Sequence, residues 1–203
     1  MALLLRNVAP GDCVDLPISG PVRILGISGS LRRGSSNTAL VAAAARIAPK
    51  AVEISIYGEL AELPPFNPDV EMEAVPAAVA RFRGRLQAAD AVLISSPEYA
   101  HGVPGVLKNA LDWVVGSGEL VEKPVALINS SARATRAWIS LAETLRTMSA
   151  RVITAASINI PLDGKTGDLT SIAEDADVSR ALKSALTTLV FATLDNAAPD
   201  RRS

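Results

Sequence analysis

Short apolar strands alternate with amphipathic helices along most of the 203-residue chain, and this alternation constrains the fold more than any other feature. Between the strands, apolar side chains recur every three or four residues, which is the spacing of one helical face. Strand units that alternate with helices predict a parallel sheet covered on both faces, the doubly wound α/β architecture. The five predicted strands are residues 22–28, 52–56, 91–94, 125–128 and 151–158.

The second strand and two connecting segments have distinct sequence patterns. Strict alternation of apolar and polar residues in 52–56 predicts that this strand lies near a sheet edge. Three prolines between residues 63 and 69 predict a loop there, and residues 163–168 are expected to form a polar excursion. Five helices are predicted to follow the strands, each from a set of apolar residues on one helical face. These sets are Leu40, Ala44 and Ile47; Val79, Phe82 and Leu86; Leu107, Ala110, Leu111 and Val114; Trp138, Leu141, Leu145 and Met148; and Val178, Leu182, Ala185 and Leu189.

Domain organisation and composition exclude several classes of protein. No linker divides the chain, so residues 21–196 are expected to form a single domain, with an N-terminal extension (1–20) and a C-terminal tail (197–203). With 20 Lys+Arg against 21 Asp+Glu, we expect no nucleic-acid partner. The apolar runs are too short for a membrane span, and the first 20 residues make a poor secretory signal, so we expect a cytoplasmic protein without a membrane partner. One cysteine, Cys13, excludes an internal disulfide framework.

The loops that follow the first, third and fourth strands are the candidate binding elements, because doubly wound folds bind ligands beyond the carboxyl ends of their strands. The first loop runs from Gly29 directly into a helix N-terminus, where free amides and the helix dipole favour an anion. Its side chains add hydrogen-bond donors at Ser30, Arg32, Ser35, Asn37 and Thr38. This density favours a phosphate site; the alternative is an ordinary capped helix.

The kind of phosphate follows from what the first loop lacks. Gly29 and Gly34 have the spacing of a P-loop, but Ser35 stands where that motif has lysine. The dinucleotide fingerprint is absent, because Gly26 and Gly29 are three positions apart. A mononucleotide phosphate is therefore the favoured ligand.

The second loop, residues 96–105, is suited to a flat ligand. Pro97 and Pro104 stiffen it, and Gly102 and Gly105 allow the backbone to approach a planar ring closely.

Together the first two loops resemble the NADPH-dependent FMN reductases, a flavodoxin-like family that includes chromate, quinone and azo-dye reductases. The family pattern G-S-x-R-x-x-S-x-N matches residues 29–37, and P-E-Y-x-x-x-x-P-G-x-L-K-N-A-x-D-W matches residues 97–113. The resemblance covers residues 22–191. It implies five parallel strands in the order 2-1-3-4-5 and a homodimer or homotetramer. It also implies an FMN-dependent oxidoreductase that passes two electrons from NADPH or NADH to a small acceptor: a quinone, an azo compound, a metal ion or free flavin.

The resemblance also implies the site residues. The FMN phosphate would be held by Ser30, Arg32, Ser35, Asn37 and Thr38. The isoalloxazine would be lined, mainly by backbone, by Pro97, Glu98, Tyr99, His101 and Gly102, and Ser130 would donate to the flavin. The family usually has Asn where this chain has Ala100. Glu98 is a candidate partner for an arginine of a neighbouring subunit. No catalytic side chain is expected, because the cofactor carries the chemistry, and His101 is interpreted as a loop residue near the flavin.

The third loop departs from the family pattern, which is rich in glycine here. Residues 129–136 contain no glycine, so side chains between 132 and 135 are expected either to narrow the approach of the nicotinamide or to loosen flavin binding. The oxidoreductase is the favoured function, and this departure is the reason for an alternative, a non-enzymatic flavin- or phosphate-binding protein. Arg133 and Arg136 are candidate contacts for the NADPH 2′-phosphate, the alternative being solvated arginines.

Overall fold

A parallel sheet forms the centre of the computed structural model, which describes residues 20–162 and 169–197. Its strands are β1 (Val22–Ser28), β2 (Val52–Tyr57), β3 (Ala91–Ser95), β4 (Pro124–Asn129), β5 (Arg151–Val152) and β6 (Ile158–Asn159). The order across the sheet is β2-β1-β3-β4-β5. Strand β6 also pairs with β4, nearer the carboxyl end of β4 than β5 does. The doubly wound, flavodoxin-like order 2-1-3-4-5 is confirmed, with β2 at the predicted edge.

Helices cover both faces of this sheet. The helices are α1 (Ser36–Ile47), α2 (Pro68–Glu73), α3 (Ala77–Ala88), α4 (Gly105–Val115), α5 (Thr135–Thr147), α6 (Leu169–Glu174) and α7 (Ala176–Ala197). Successive side chains of a strand point to opposite faces. Leu25 and Ile27 therefore pack in one cluster with α3, α4 and α5, whereas Ile24 packs in the other with α1, α6 and α7.

The structure differs from the sequence prediction at three elements. The predicted loop 63–69 ends early because Pro68 begins α2, where Asn67 caps the helix by accepting a hydrogen bond from the Asp69 amide at 3.0 Å. The predicted last strand, 151–158, is interrupted by the 3-10 turn Thr154–Ala156, which leaves β5 and β6 as two short segments on β4. The short helix α6 was not predicted. The excursion at 163–168, residues 1–19 and residues 198–203 lie outside the described residues.

The register of the central strands brings the three candidate loops together. Ser28 of β1 pairs with Ser95 of β3, and Ser95 pairs with Ile128 of β4, so the three strands end at the same edge. The chain turns to β2 on one side of β1 and to β3 on the other, which makes this edge the topological switch point. No helix among the described residues is long and apolar enough to cross a membrane.

Candidate functional site

The first loop is a turn that presents backbone donors at the start of α1. The Ser35 amide donates to the Arg32 carbonyl at 3.1 Å, and the Ser35 hydroxyl caps α1 by accepting from the Thr38 amide at 3.4 Å. Within the described part of the chain, the amides of Ser36 and Asn37 have no acceptor. These free N–H groups lie at the positive end of the helix, so the local structure suits an anion.

The side chains of this loop add further donors and include no carboxylate. The exposed Arg32 guanidinium donates to the Gly34 carbonyl at 2.6 Å, and the Thr38 hydroxyl lies 2.8 Å from that of Ser28. Asn37 is buried, and its Oδ1 accepts from the Ser95 hydroxyl at 2.9 Å. The Asn37 Nδ2 has no partner among the described residues, so it is free to donate into the adjoining cavity.

The second loop forms a tight hairpin at its tip. The amide and carbonyl of Tyr99 pair with those of Gly102 at 3.1 and 2.9 Å. Between them, Ala100 and His101 have φ values of 49° and 61°, the left-handed region that a two-residue type I′ turn requires. Residues with a Cβ adopt this region at a cost, so the hairpin holds both of them in a strained backbone.

The Glu98 carboxylate connects this hairpin to the start of α5. One oxygen accepts from the Ala137 amide at 2.9 Å, and the other lies 3.0 Å from Nδ1 of His101. The Ala137 amide, followed by His101, lowers the pKa of Glu98 below its ordinary value. Both oxygens therefore have partners within the chain, which agrees with a contribution to ligand binding through its backbone. An arginine partner from a neighbouring subunit stays a prediction.

The third loop is held by Asn129, a buried residue that the sequence analysis did not assign to the site. Its Nδ2 donates to the Ala134 carbonyl at 3.2 Å, and its Oδ1 accepts from the Ser131 amide at 3.1 Å. The Ile160 amide donates to the Asn129 carbonyl at 2.8 Å. The sequence feature that could have identified Asn129 is a polar amide side chain at the last position of a buried strand.

A cavity of about 270 Å³ lies between the three loops. Of the predicted site residues, Asn37, Pro97, Glu98 and Ser130 line it. Ser30, Arg32, Ser35 and Thr38 belong to the turn at the start of α1, and Tyr99, His101 and Gly102 form the hairpin beside Glu98. The wall is completed by Asn129, Ser131, Arg133 and Ala134.

This arrangement agrees with the comparison to known proteins. The sequence profile of the NADPH-dependent FMN reductases matches residues 22–165. The chain belongs to this family. An NAD(P)H-dependent FMN reductase of Pseudomonas aeruginosa is 41% identical over 117 residues, which span 57% of this chain and 63% of that protein. A quinone reductase of Escherichia coli is 36% identical over 117 residues, spanning 56% and 62%.

The chain matches about three fifths of the length of these curated relatives. Among solved structures, a flavoenzyme NAD(P)H:(acceptor) oxidoreductase from Paracoccus denitrificans superimposes with a TM-score of 0.68 at 24% identity. The superposition covers 86% of this chain and 98% of that one, and it shows the shared fold.

Proposed function

We propose that the protein binds FMN at the three-loop site and acts as an NAD(P)H-dependent oxidoreductase that passes two electrons to a quinone or a free flavin. The observation that carries this proposal is the junction of an anion-binding turn with a polar cavity at the switch point of the sheet. Family membership and the names of the relatives, FMN reductase and quinone reductase, support the same activity.

The donor set fits FMN. A phosphate dianion needs several donors and no nearby carboxylate, which is what the turn before α1 supplies. We assign the phosphate to Ser30, Arg32, Ser35 and Thr38, together with the free amide of Asn37. The Asn37 Nδ2 and the Ser130 hydroxyl would meet the polar chain between phosphate and ring.

The ring would lie against the backbone of Pro97, Glu98, Tyr99, His101 and Gly102. When bound, FMN supplies the two-electron chemistry. The protein binds and orients it: the paired hairpin fixes the second loop, and the contact of Glu98 with Ala137 fixes that loop relative to α5.

A homodimer or homotetramer is part of the proposal. Helix α2 buries none of its residues, and three apolar side chains on or next to it are exposed: Val70, Met72 and Val75. A surface of this kind is typical of a subunit contact. Sedimentation equilibrium tests it, and a monomer at micromolar concentration would contradict it.

A second candidate is a non-enzymatic flavin-binding protein. The observation in its favour is that the side chains of Arg133 and Ala134 line the cavity, where a glycine-rich loop would leave more room. The two candidates differ in whether the nicotinamide of NADPH or NADH can reach the bound flavin.

The experiment has two stages. Titration with FMN and with riboflavin, which lacks the phosphate, should give clearly tighter binding of FMN. Oxidation of NADPH or NADH by the FMN-loaded protein in the presence of benzoquinone should then follow. Equal affinity for the two flavins would refute the phosphate assignment, and tight FMN binding without oxidation of either nucleotide would favour the non-enzymatic candidate.

A further inference from the structure

The imidazole of His101 is held in one orientation by Glu98, a residue that lines the cavity. His101 is the single histidine of the sequence, and its Nδ1 lies 3.0 Å from the Glu98 carboxylate. An ionised carboxylate only accepts hydrogen bonds, so Nδ1 carries a proton. The opposite ring nitrogen, Nε2, belongs to a side chain that is 69% exposed and is accessible to a substrate.

Two independent contacts fix this orientation. The Glu98 side chain is 12% exposed, lines the cavity and is anchored by the Ala137 amide. The His101 backbone is fixed by the hairpin, with φ at 61°. The third loop and the first turn of α5 carry two charged residues, Arg133 and Arg136, and neither makes an ion pair within the described residues.

We propose that His101 is the proton donor to the electron acceptor, which makes it a catalytic residue; this inference rests on the proposed function. A quinone that becomes a hydroquinone takes up two electrons and two protons. Two electrons and one proton come with the reduced flavin, and the second proton leaves Nε2 of the protonated imidazole for the quinone oxygen. The ring then keeps its Nδ1 proton on Glu98, and solvent returns the proton to Nε2.

The inference narrows the class of acceptor. A proton donor beside the cavity accelerates the reduction of acceptors whose oxygen or nitrogen gains a proton, such as quinones and azo compounds. It offers nothing to an acceptor that takes up electrons alone. Positioned general acids typically contribute about 10²–10⁴-fold to a rate.

The orientation of the ring can be measured apart from activity. Because the chain has one histidine, protein labelled with ¹⁵N-histidine gives one pair of ring-nitrogen signals. In the oxidised, FMN-loaded protein, the neutral ring should carry its proton on Nδ1, and Glu98→Ala should shift the population toward the Nε2–H tautomer. A wild-type ring with its proton on Nε2 would overturn the proposed orientation.

The proton transfer itself is tested with His101→Asn. Asparagine tolerates the left-handed backbone, and its amide can still donate to Glu98, so the hairpin is preserved while the Nε2 proton is lost. Protein reduced with dithionite is mixed with benzoquinone or with ferricyanide, which takes up electrons without protons. Reoxidation by benzoquinone should slow by at least about 10-fold, and reoxidation by ferricyanide should change by less than about twofold. Free imidazole should restore part of the benzoquinone rate in His101→Ala.

The outcomes separate this inference from the proposed function. An unchanged benzoquinone rate, or equal losses with both acceptors, would refute His101 as the proton donor while leaving the reductase intact. A wild type that retains no FMN would refute the proposed function and this step together. A third outcome is that neither NADPH nor NADH reduces the wild type, while dithionite-reduced His101→Asn is still slower than the dithionite-reduced wild type with benzoquinone. This result would refute the nicotinamide dependence alone.

Discussion

Replacement of Arg32 by alanine tests the phosphate site. The guanidinium is exposed, and its Nη2 donates at 2.6 Å to the Gly34 carbonyl, within the turn that presents the free amides of Ser36 and Asn37. We expect this side chain to donate to the FMN phosphate. A hydrogen bond to a charged group contributes about 1.5–3 kcal/mol. Since about 1.36 kcal/mol corresponds to a factor of ten, Arg32→Ala should weaken FMN binding by about 10- to 150-fold.

The adjacent residue provides a matched control. Arg33 is also exposed, and its side chain makes no hydrogen bond or ion pair within the described residues. Arg33→Ala removes the same charge from the same turn, so a purely long-range effect would appear in both variants. Titration by flavin fluorescence at physiological salt should give less than about a threefold change for Arg33→Ala, because screening weakens contributions from exposed charges. Equal losses in the two variants, or unchanged FMN affinity in Arg32→Ala, would refute the assignment.

Three further predictions concern stability, measured as the free energy of unfolding in urea. A Cβ on Gly26 would lie 2.6 Å from Cγ1 of Val41, so Gly26→Ala should destabilise by about 1–3 kcal/mol, and Val41→Ala should relieve part of that loss. Ala100→Asn should stabilise by about 0.5–1 kcal/mol, because asparagine tolerates the left-handed backbone of the hairpin better. For Asp90, burial raises the pKa, but hydrogen bonds from the backbone and side chain of Arg23 outweigh it and lower the pKa overall. The ionised Asp90 therefore stabilises the fold fully above the ordinary aspartate pKa of about 3.9, and Asp90→Asn should lower the free energy of unfolding there. This difference between the two proteins should disappear as the pH falls through the lowered pKa of the folded state.

Each of these predictions has a result that contradicts it. Additive effects of the Gly26 and Val41 variants would show that their side chains do not collide. Ala80→Asn, at an exposed position within α3, should destabilise by up to about 0.7 kcal/mol through helix propensity, so the same sign as at Ala100 would contradict the backbone argument. A stability difference for Asp90→Asn that is independent of pH between 7 and 2 would contradict the role of its ionised carboxylate.

The central strands were predictable because β3 and β4 are buried at every position and β1 at all but one, so that they appear as continuous apolar runs. The edge strand β2 was predictable from the alternation of its side chains instead. The elements that were missed are short and depend on local chemistry. Pro68 was interpreted as a helix breaker, although proline is equally suited to a first helical turn. The break between β5 and β6 comes from the turn Thr154–Ala156, whose residues fit the predicted strand equally well by hydropathy.

The candidate site also contains features that the sequence indicates and features that it does not. The first loop could be proposed as a phosphate site from the sequence, because its donors are neighbours in the chain and directly precede a helix. The partner of Glu98 could not, since the Ala137 amide lies 39 residues away and any residue type carries an amide. The conformation of Ala100 and His101 was not predicted either, because this pair lacks the Asn-Gly or Asp-Gly sequence that is typical of a type I′ turn.

The most direct test of the central claim is the reduction of bound flavin. The protein is loaded with FMN, freed of unbound ligand and mixed with NADPH in the absence of oxygen while the visible flavin absorbance is recorded. We predict that the flavin is retained and that its absorbance bleaches. Retained flavin that stays oxidised with both NADPH and NADH, or loss of the flavin on removal of free ligand, would contradict the account.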